Sequence, residues 1–223
     1  MMVWTWIRSN KGFLLFLFGL GLFRTAIADW NPIPSGSMRP TLLEGDVVLV
    51  DRTAYDLKIP LTDVSIAHLG EPRRGDVVTF SSPRDGTRLI KRIVGLPGDV
   101  LEMRDEVLYV NGTPMAYSGP VVGEEPVRGS STQTVRATEH LPGRDHSVQF
   151  FPELPALRSF RPISVPADQY FMLGDNRDDS ADSRYIGFVP RHVLIGRAHR
   201  VLVSANILGN WLPRMERVGS QIQ

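Results

Sequence analysis

The chain has 223 residues, 42% of them hydrophobic, enough to bury the core of one good-sized domain or two small ones. Its 25 Lys+Arg nearly balance 24 Asp+Glu, which argues against nucleic acid as the main partner. There is no Cys, which excludes a disulfide framework, a thiol nucleophile and any Cys-based metal site. The 20 Gly and 17 Pro, with frequent Val, fit a turn-rich β protein better than a helical bundle.

In chain order, Arg8 and Lys11 precede an apolar run from Gly12 to Phe23 that Arg24 ends, and Trp4, Trp6 and Trp30 flank the stretch as interfacial aromatics do. The run is short against the roughly 20 residues a spanning helix needs. Ala26-Ile27-Ala28 also offers a small-x-small cleavage site, so a removed signal peptide is the alternative. Arg24 falls where the segment before such a cut should be uncharged, which favours a tilted, uncleaved transmembrane helix over 12–29 after a short cytoplasmic segment 1–11. The positive-inside bias then places the rest of the chain outside the cytoplasm.

Beyond residue 30, short β-branched runs recur between turn residues: Val47–Val50, Val77–Phe80, Leu89–Val94, Val107–Val110, Tyr170–Leu173 and Val193–Val203. Gly45-Asp46, Gly75-Asp76 and Gly98-Asp99 lead straight into apolar runs, as turn-to-strand junctions do, and Asn111-Gly112 is a hairpin signal. The pattern predicts a mainly β, antiparallel catalytic core over 30–116 and 162–205. Residues 117–161 lack an apolar pattern and read as an inserted, loop-rich subdomain; 206–223 reads as a C-terminal tail.

Around Ser35-Gly36-Ser37, Pro34 and Pro40 fix a non-helical backbone, the rigidity a nucleophilic hydroxyl needs, although Pro-Ser-Gly-Ser is also ordinary linker composition. His68, His140, His146, His192 and His199 sit in no triad context and read as surface or strand-edge residues. Lys91 stands out instead. In a regular strand Arg88, Ile90, Arg92 and Val94 share one face and Leu89, Lys91 and Ile93 the other. The two arginines mark the first face as the wetter, leaving Lys91 between Leu89 and Ile93, where desolvation would make it a usable base; the alternative is a lysine that snorkels to solvent. Ile33, Met38, Leu42, Leu89 and Ile90, beside these residues in sequence, are candidates for shallow apolar substrate pockets. The polar stretch from Gly174 to Tyr185 predicts a loop held by its own hydrogen bonds. It lacks the sixth-position Gly and twelfth-position Glu of a calcium loop, so no metal is expected.

Ser35-Gly36-Ser37-Met38-Arg39-Pro40-Thr41-Leu42 with Gly45-Asp46, then Arg74 to Val78, then Lys91 to Asp99, then Gly174 to Arg184, resembles in order the motif series of the bacterial signal peptidase I family. The resemblance covers most of 31–203 apart from the middle, and four boxes in order outweigh the linker and snorkel readings. It implies a β-rich core with a small inserted β subdomain, Ser37 as nucleophile, Lys91 as general base, and the Ser37 N–H with the Ser35 hydroxyl as oxyanion hole. It further implies that Ser180 orients the Lys91 amine, that Asp182 and Arg184 form a supporting ion pair, and that Gly174 lies in close packing near the lysine. The implied substrates are secretory preproteins cut after Ala-x-Ala at the surface of the bacterial inner membrane, with the lipid bilayer as partner and no cofactor, metal or nucleic acid. One membrane segment is expected where some members have two, and 117–161 matches nothing recognisable in the family. A self-cleaving repressor shares the Ser–Lys chemistry but would carry a DNA-binding domain at its N-terminus. A silent, membrane-tethered β module would be expected to have lost Ser37 or Lys91.

Overall fold

The structure, a computed structural model, describes residues 6, 8–62, 64–127 and 130–222. The longest helix among the described residues, α1 (Lys11–Ala26), runs directly into strand β1 (Ala28–Pro32). The following strands in chain order are β2 (Asp46–Asp51), β3 (Asp56–Lys58), β4 (Ser65–His68), β5 (Val77–Ser81), β6 (Arg88–Gly95), β7 (Val100–Arg104), β8 (Val107–Val110) and β9 (Thr113–Pro114). Then come β10 (Ala116–Val127), β11 (Ser130–Leu141), β12 (Arg144–Phe150), β13 (Phe160–Ser164), β14 (Gln169–Leu173), the short helix α2 (Ser183–Ile186), β15 (Val189–Pro190) and β16 (Leu194–Ser204).

The protein is mainly β, and its strand pairs are antiparallel. A seven-stranded sheet in the order β1-β2-β16-β5-β6-β14-β15 carries the site; β10-β11-β12, β13-β7-β8-β9 and β3-β4 form three smaller sheets. Gly45, Gly75 and Gly98 all have φ +87°, the left-handed conformation that glycine adopts without a Cβ penalty. In each turn the following aspartate repeats one pattern. Its N–H donates to the carbonyl three residues back, and its carboxylate accepts that residue's N–H: Leu43 (2.9 Å), Arg73 (3.0 Å) and Leu96 (2.6 Å). These three turns deliver the chain into β2, β5 and β7, as the Gly-Asp spacing predicted. Asn111 (φ 52°) and Gly112 (φ 79°) make the expected tight turn between β8 and β9.

Two expectations need correction. The transmembrane helix expected over 12–29 is not found: α1 has 16 residues, about 24 Å of rise against a hydrocarbon core of roughly 30 Å. Ala28 and Asp29 are already paired with β2, and among the described residues no helix is long and apolar enough to cross a membrane. Trp4 and the first five residues of the expected segment 1–11 lie outside the described residues. The stretch 117–161 is not dominated by loops: most of it forms β10, β11 and β12, which include two 12-residue strands. Its apolar alternation is missing because buried positions on these strands are polar, among them Thr132, Thr134, Glu139, His146 and Gln149.

Three apolar clusters fill the interior. Ile33, Met38, Leu42, Val48, Val50, Val77, Ala198 and Val201 form the one beneath Ser37, and Ile222 packs against it. Leu89 joins a second cluster with Val78, Phe80, Ile93 and Met172, and Val94, Leu101 and Phe171 belong to a third. The residues read as a C-terminal tail are fastened to the core: Arg217 pairs with Asp46 at 2.5 Å and donates to Thr41 O at 3.0 Å, and Ile222 N donates to His199 O at 3.0 Å.

Gly45 and Gly98 share their φ but not their surroundings. A Cβ on Gly45 would meet Ala205 O at 2.1 Å, whereas on Gly98 it meets nothing within 4 Å. Gly98→Ala should therefore cost only the left-handed penalty, about 1–2 kcal/mol, and Gly45→Ala a further ~1–3 kcal/mol of overpacking. Denaturant unfolding of the two variants checks this; equal losses would show that the Ala205 contact does not constrain the turn.

Candidate active site

Ser37 occupies a single 3-10 turn, Gly36–Met38, that enters from β1 and is pinned below by Met38, which is fully buried. From above it is held by the loop after β14. Asn176 N donates to Ser37 O at 3.2 Å, and Asn176 Nδ2 donates to Gly36 O at 3.0 Å. The side of the turn is tied to the inserted sheet. Arg39, two residues past Ser37, pairs with Glu44 at 2.8 Å and with Glu125 of β10 at 2.6 Å.

Lys91, on β6, places its Nζ 2.6 Å from Ser37 Oγ. The lysine is 2% exposed. Burial pushes its amine down to about 8, while the Asp182 and Asp175 carboxylates pull the other way. Ser35 Oγ lies 3.5 Å from Ser37 Oγ, and Ser35 is exposed. No histidine is a hydrogen-bond partner of Ser37 or Lys91 among the described residues. A hydroxyl in contact with a buried amine of lowered proton affinity is equipped for nucleophilic attack with the amine as base.

The loop from Gly174 to Arg184 stands behind this pair. Asp182 and Arg184 form a buried bidentate ion pair, Nε to Oδ1 and Nη2 to Oδ2 both at 2.8 Å. Asp182 also accepts from Gly174 N at 3.1 Å and from Arg184 N at 3.2 Å. A Cβ on Gly174 would lie 2.2 Å from Ser180 Oγ and 2.5 Å from Ser37 O, so only glycine fits between the two serines. Ser180 Oγ is buried and has no hydrogen-bond partner among the described residues; its expected bond to Lys91 is not formed here.

The apolar residues expected to line substrate pockets divide. Met38 and Leu42 are fully buried and Ile33 is 3% exposed, so they form the floor, while Leu89 and Ile90 are only half-buried. Alternation along β6 holds for Leu89 and Ile93, which share one cluster, and Ile90, which joins another. The reason given for it does not hold. Arg92, expected toward water, is fully buried and bonded to Asp175 through Nε (2.8 Å) and Nη2 (2.7 Å).

Sequence reasoning also missed the rest of a buried polar network. Arg177 pairs with Glu139 of β11 through two bonds of 2.7 and 2.6 Å. Gln149 N of β12 donates to Asp175 O at 2.8 Å, and Arg177 N returns to Gln149 O at 2.9 Å. His146, expected at the surface or at a strand edge, lies on the edge strand β12 but is buried, with Nε2 at 3.3 Å from Glu139 and 3.7 Å from Asp175. The only sequence signal was indirect: the density of charge in 174–184 demanded partners, and they lie on strands far away in the chain.

A family model described as signal peptidase, peptidase S26 matches residues 4–203. The chain belongs to this peptidase family. It is 36% identical to a signal peptidase I of Pseudomonas aeruginosa, an alignment that covers 96% of this chain and 78% of the relative. A signal peptidase I of Rickettsia prowazekii is 34% identical over 90% of this chain and 84% of its own. A crystal structure of a signal peptidase I from Enterococcus faecalis is 33% identical, with a TM-score of 0.35, covering 57% of this chain and 96% of that one. Like those relatives, this member of the family is a hydrolase that cuts peptide bonds.

The buried network makes stability depend on pH. Burial lowers His146 from 6.5 to about 4, so the unfolded chain takes up the proton first as pH falls. Its contribution is complete above pH 6.5 and is lost between there and about 4, by at most on the order of 3 kcal/mol. The urea midpoint should fall over that window, and His146→Gln should flatten the fall. A wild-type midpoint that stays constant from pH 7 to 4 would contradict the buried, neutral state of the histidine.

Proposed function

We propose that this peptidase removes N-terminal signal peptides from secretory preproteins, cutting after small-x-small segments through a Ser37–Lys91 dyad. The observation that carries the reading is the 2.6 Å contact between Ser37 Oγ and the amine of a lysine buried to 2% exposure. Neutral Lys91 takes the proton from Ser37, and Oγ attacks the scissile carbonyl carbon to form a tetrahedral oxyanion. The lysine ammonium returns its proton to the leaving nitrogen as the C–N bond breaks. Water then attacks the ester, giving a proton to the same amine; the Ser37–acyl bond breaks as the ammonium returns that proton to Ser37 Oγ, and the acyl group leaves as a carboxylic acid that ionises in water.

The oxyanion is held by the Ser37 N–H, which belongs to a first helical turn without intrahelical acceptors, and by the Ser35 hydroxyl beside it. Asp182, itself paired with Arg184, holds Gly174 N, and the close-packed Gly174–Ser180 contact keeps Ser180 against the nucleophile turn. Ser180 turns its hydroxyl to the amine in the reacting complex. Half-buried Leu89 and Ile90 offer little depth beside the dyad, which favours Ala over larger side chains by steric exclusion. The residues from 30 onward work outside the cytoplasm, at the bilayer surface. Helix α1 exposes Phe13, Leu15, Phe16 and Phe18 by 59–68%, an apolar surface that lipid would cover, and it ends eleven residues before Ser37, with Ile27 and then β1 next in the chain.

Purified protein should cleave an Ala-x-Ala preprotein. Ser37→Ala and Lys91→Ala should each abolish turnover, and the double variant should be no worse than either. Because the neutral amine is the active form, kcat/KM should climb with rising pH through about 8. Lys91→Arg should be inactive, since guanidinium keeps its proton. Ser35→Ala should lower kcat by roughly 10²–10³. Appreciable turnover by Lys91→Ala would remove the lysine from the mechanism.

A further inference from the structure

The dyad lies at one end of a gap between β1 with its continuation and the outer edge of β6. On that edge β14 pairs only with Arg92, Ile93 and Gly95, so, among the described residues, 88–91 have β5 on one side and no strand on the other. β1 likewise pairs with β2 alone, at the end of the sheet. The gap is bridged twice. Lys91 reaches Ser37 at 2.6 Å, and three residues earlier Arg88 Nη1 reaches Asp29 Oδ2 at 3.0 Å and Asn31 Oδ1 at 3.1 Å. Each bridge joins one long side chain to one short one, a reach that suits two strands separated by the width of one absent strand, about 9–10 Å.

The far bridge carries unspent capacity for hydrogen bonds and charge. Arg24 also pairs with Asp29, at 2.8 Å, so two guanidinium groups share one carboxylate and the local charge is net positive. Arg88 is about half exposed, and its Nε and Nη2 have no partner among the described residues. Asn31 is 8% exposed, and its buried Nδ2 has no acceptor among the described residues. Trp30 lies against Arg24, 4.4 Å from ring centre to guanidinium carbon, and keeps that second cation in place.

We infer that Arg88, with Asn31 and the Arg24–Asp29 pair, forms a substrate subsite at the far end of the groove that takes a carboxylate side chain of the bound polypeptide. The inference rests on the proposed function for its direction. If small residues before the cut lie over Leu89 and Ile90, the chain beyond them arrives at Arg88. At roughly 3.3 Å per residue, the three residues from Lys91 to Arg88 span about 10 Å, which puts the subsite at about the fourth residue before the cut. Arg88 Nε and Nη2 would grip the carboxylate through two parallel bonds, and a strand carbonyl would satisfy Asn31 Nδ2.

The test uses peptides with a constant Ala-x-Ala cut site and Glu, Gln or Lys as the fourth residue before it. A second set varies the fourth residue after the cut. Two readouts are taken for each: kcat/KM with the full chain, and Kd by anisotropy with its Ser37→Ala form. Wild type should favour Glu over Lys by about tenfold in both readouts, on the upstream side only. Arg88→Gln should bring the ratio to about one, and Arg88→Glu should invert it. Each enzyme is compared with itself, so a general loss of activity does not disturb the ratio. An unchanged ratio in Arg88→Glu, or a preference on the downstream side, would overturn the subsite. Cleavage by Ser37→Ala with the ratio intact would overturn the dyad and leave the subsite standing. Absence of any charge preference in both readouts would overturn the subsite alone.

Discussion

The desolvation of Lys91 is the constraint on which the rest of the site depends. An ammonium withdrawn from water without a dedicated counterion loses its preference for the charged form, and Lys91 is 2% exposed with its Nζ directed at a hydroxyl rather than a carboxylate. Asp182 and Asp175 are near enough to oppose the shift, yet burial remains the largest effect and leaves the amine at about 8. The balance is fine. If either carboxylate paired with the lysine directly, the amine would stay protonated and could not act as a base. Each is instead occupied by an arginine: Asp175 by Arg92 and Asp182 by Arg184.

That arrangement explains why so much buried charge surrounds a hydroxyl and an amine. Arg92–Asp175, Arg177–Glu139 and Arg184–Asp182 all have side chains no more than 2% exposed. Buried pairs gain little over apolar packing, but removing one partner strands a charge at a cost of several kcal/mol. Here they act as fixed joints between elements remote in the chain. β6 supplies Arg92, the loop after β14 supplies Asp175 and Arg177, and β11 supplies Glu139. The inserted sheet is thus fastened to the back of the loop after β14, and through Glu125 and Arg39 to the turn that carries Ser37. A shift of that sheet would reach Ser37 and Asp175 together.

Much of this was legible in the residues where local geometry decides the outcome. The three Gly-Asp turns and Asn111-Gly112 announced strand starts and a hairpin because left-handed backbone and an aspartate cap are local requirements. The ordered motifs pointed to Ser37 and Lys91, whose side chains lie 2.6 Å apart. Arg92 did not, because a charged side chain reads as solvent-facing unless its partner is known, and Asp175 lies 83 positions away. His146 and Glu139 were hidden for the same reason. Residues 117–161 looked irregular because their strands bury polar groups against the loop after β14, which erases the apolar alternation. The end of α1 was misplaced because β1 claims Ala28 and Asp29 through pairing with β2, a long-range contact that the helical pattern does not contain.

The chain contains only three lysines, Lys11, Lys58 and Lys91, so the proton affinity of the candidate base can be read directly. With 13C at the lysine ε position, each side chain gives one NMR signal, and Lys91→Ala assigns the one at the site. The desolvation account predicts a Lys91 midpoint near 8 in the folded wild-type protein. A Lys91 midpoint at the ordinary value of 10.5 would contradict it, because burial would then have left the amine's hold on its proton unchanged.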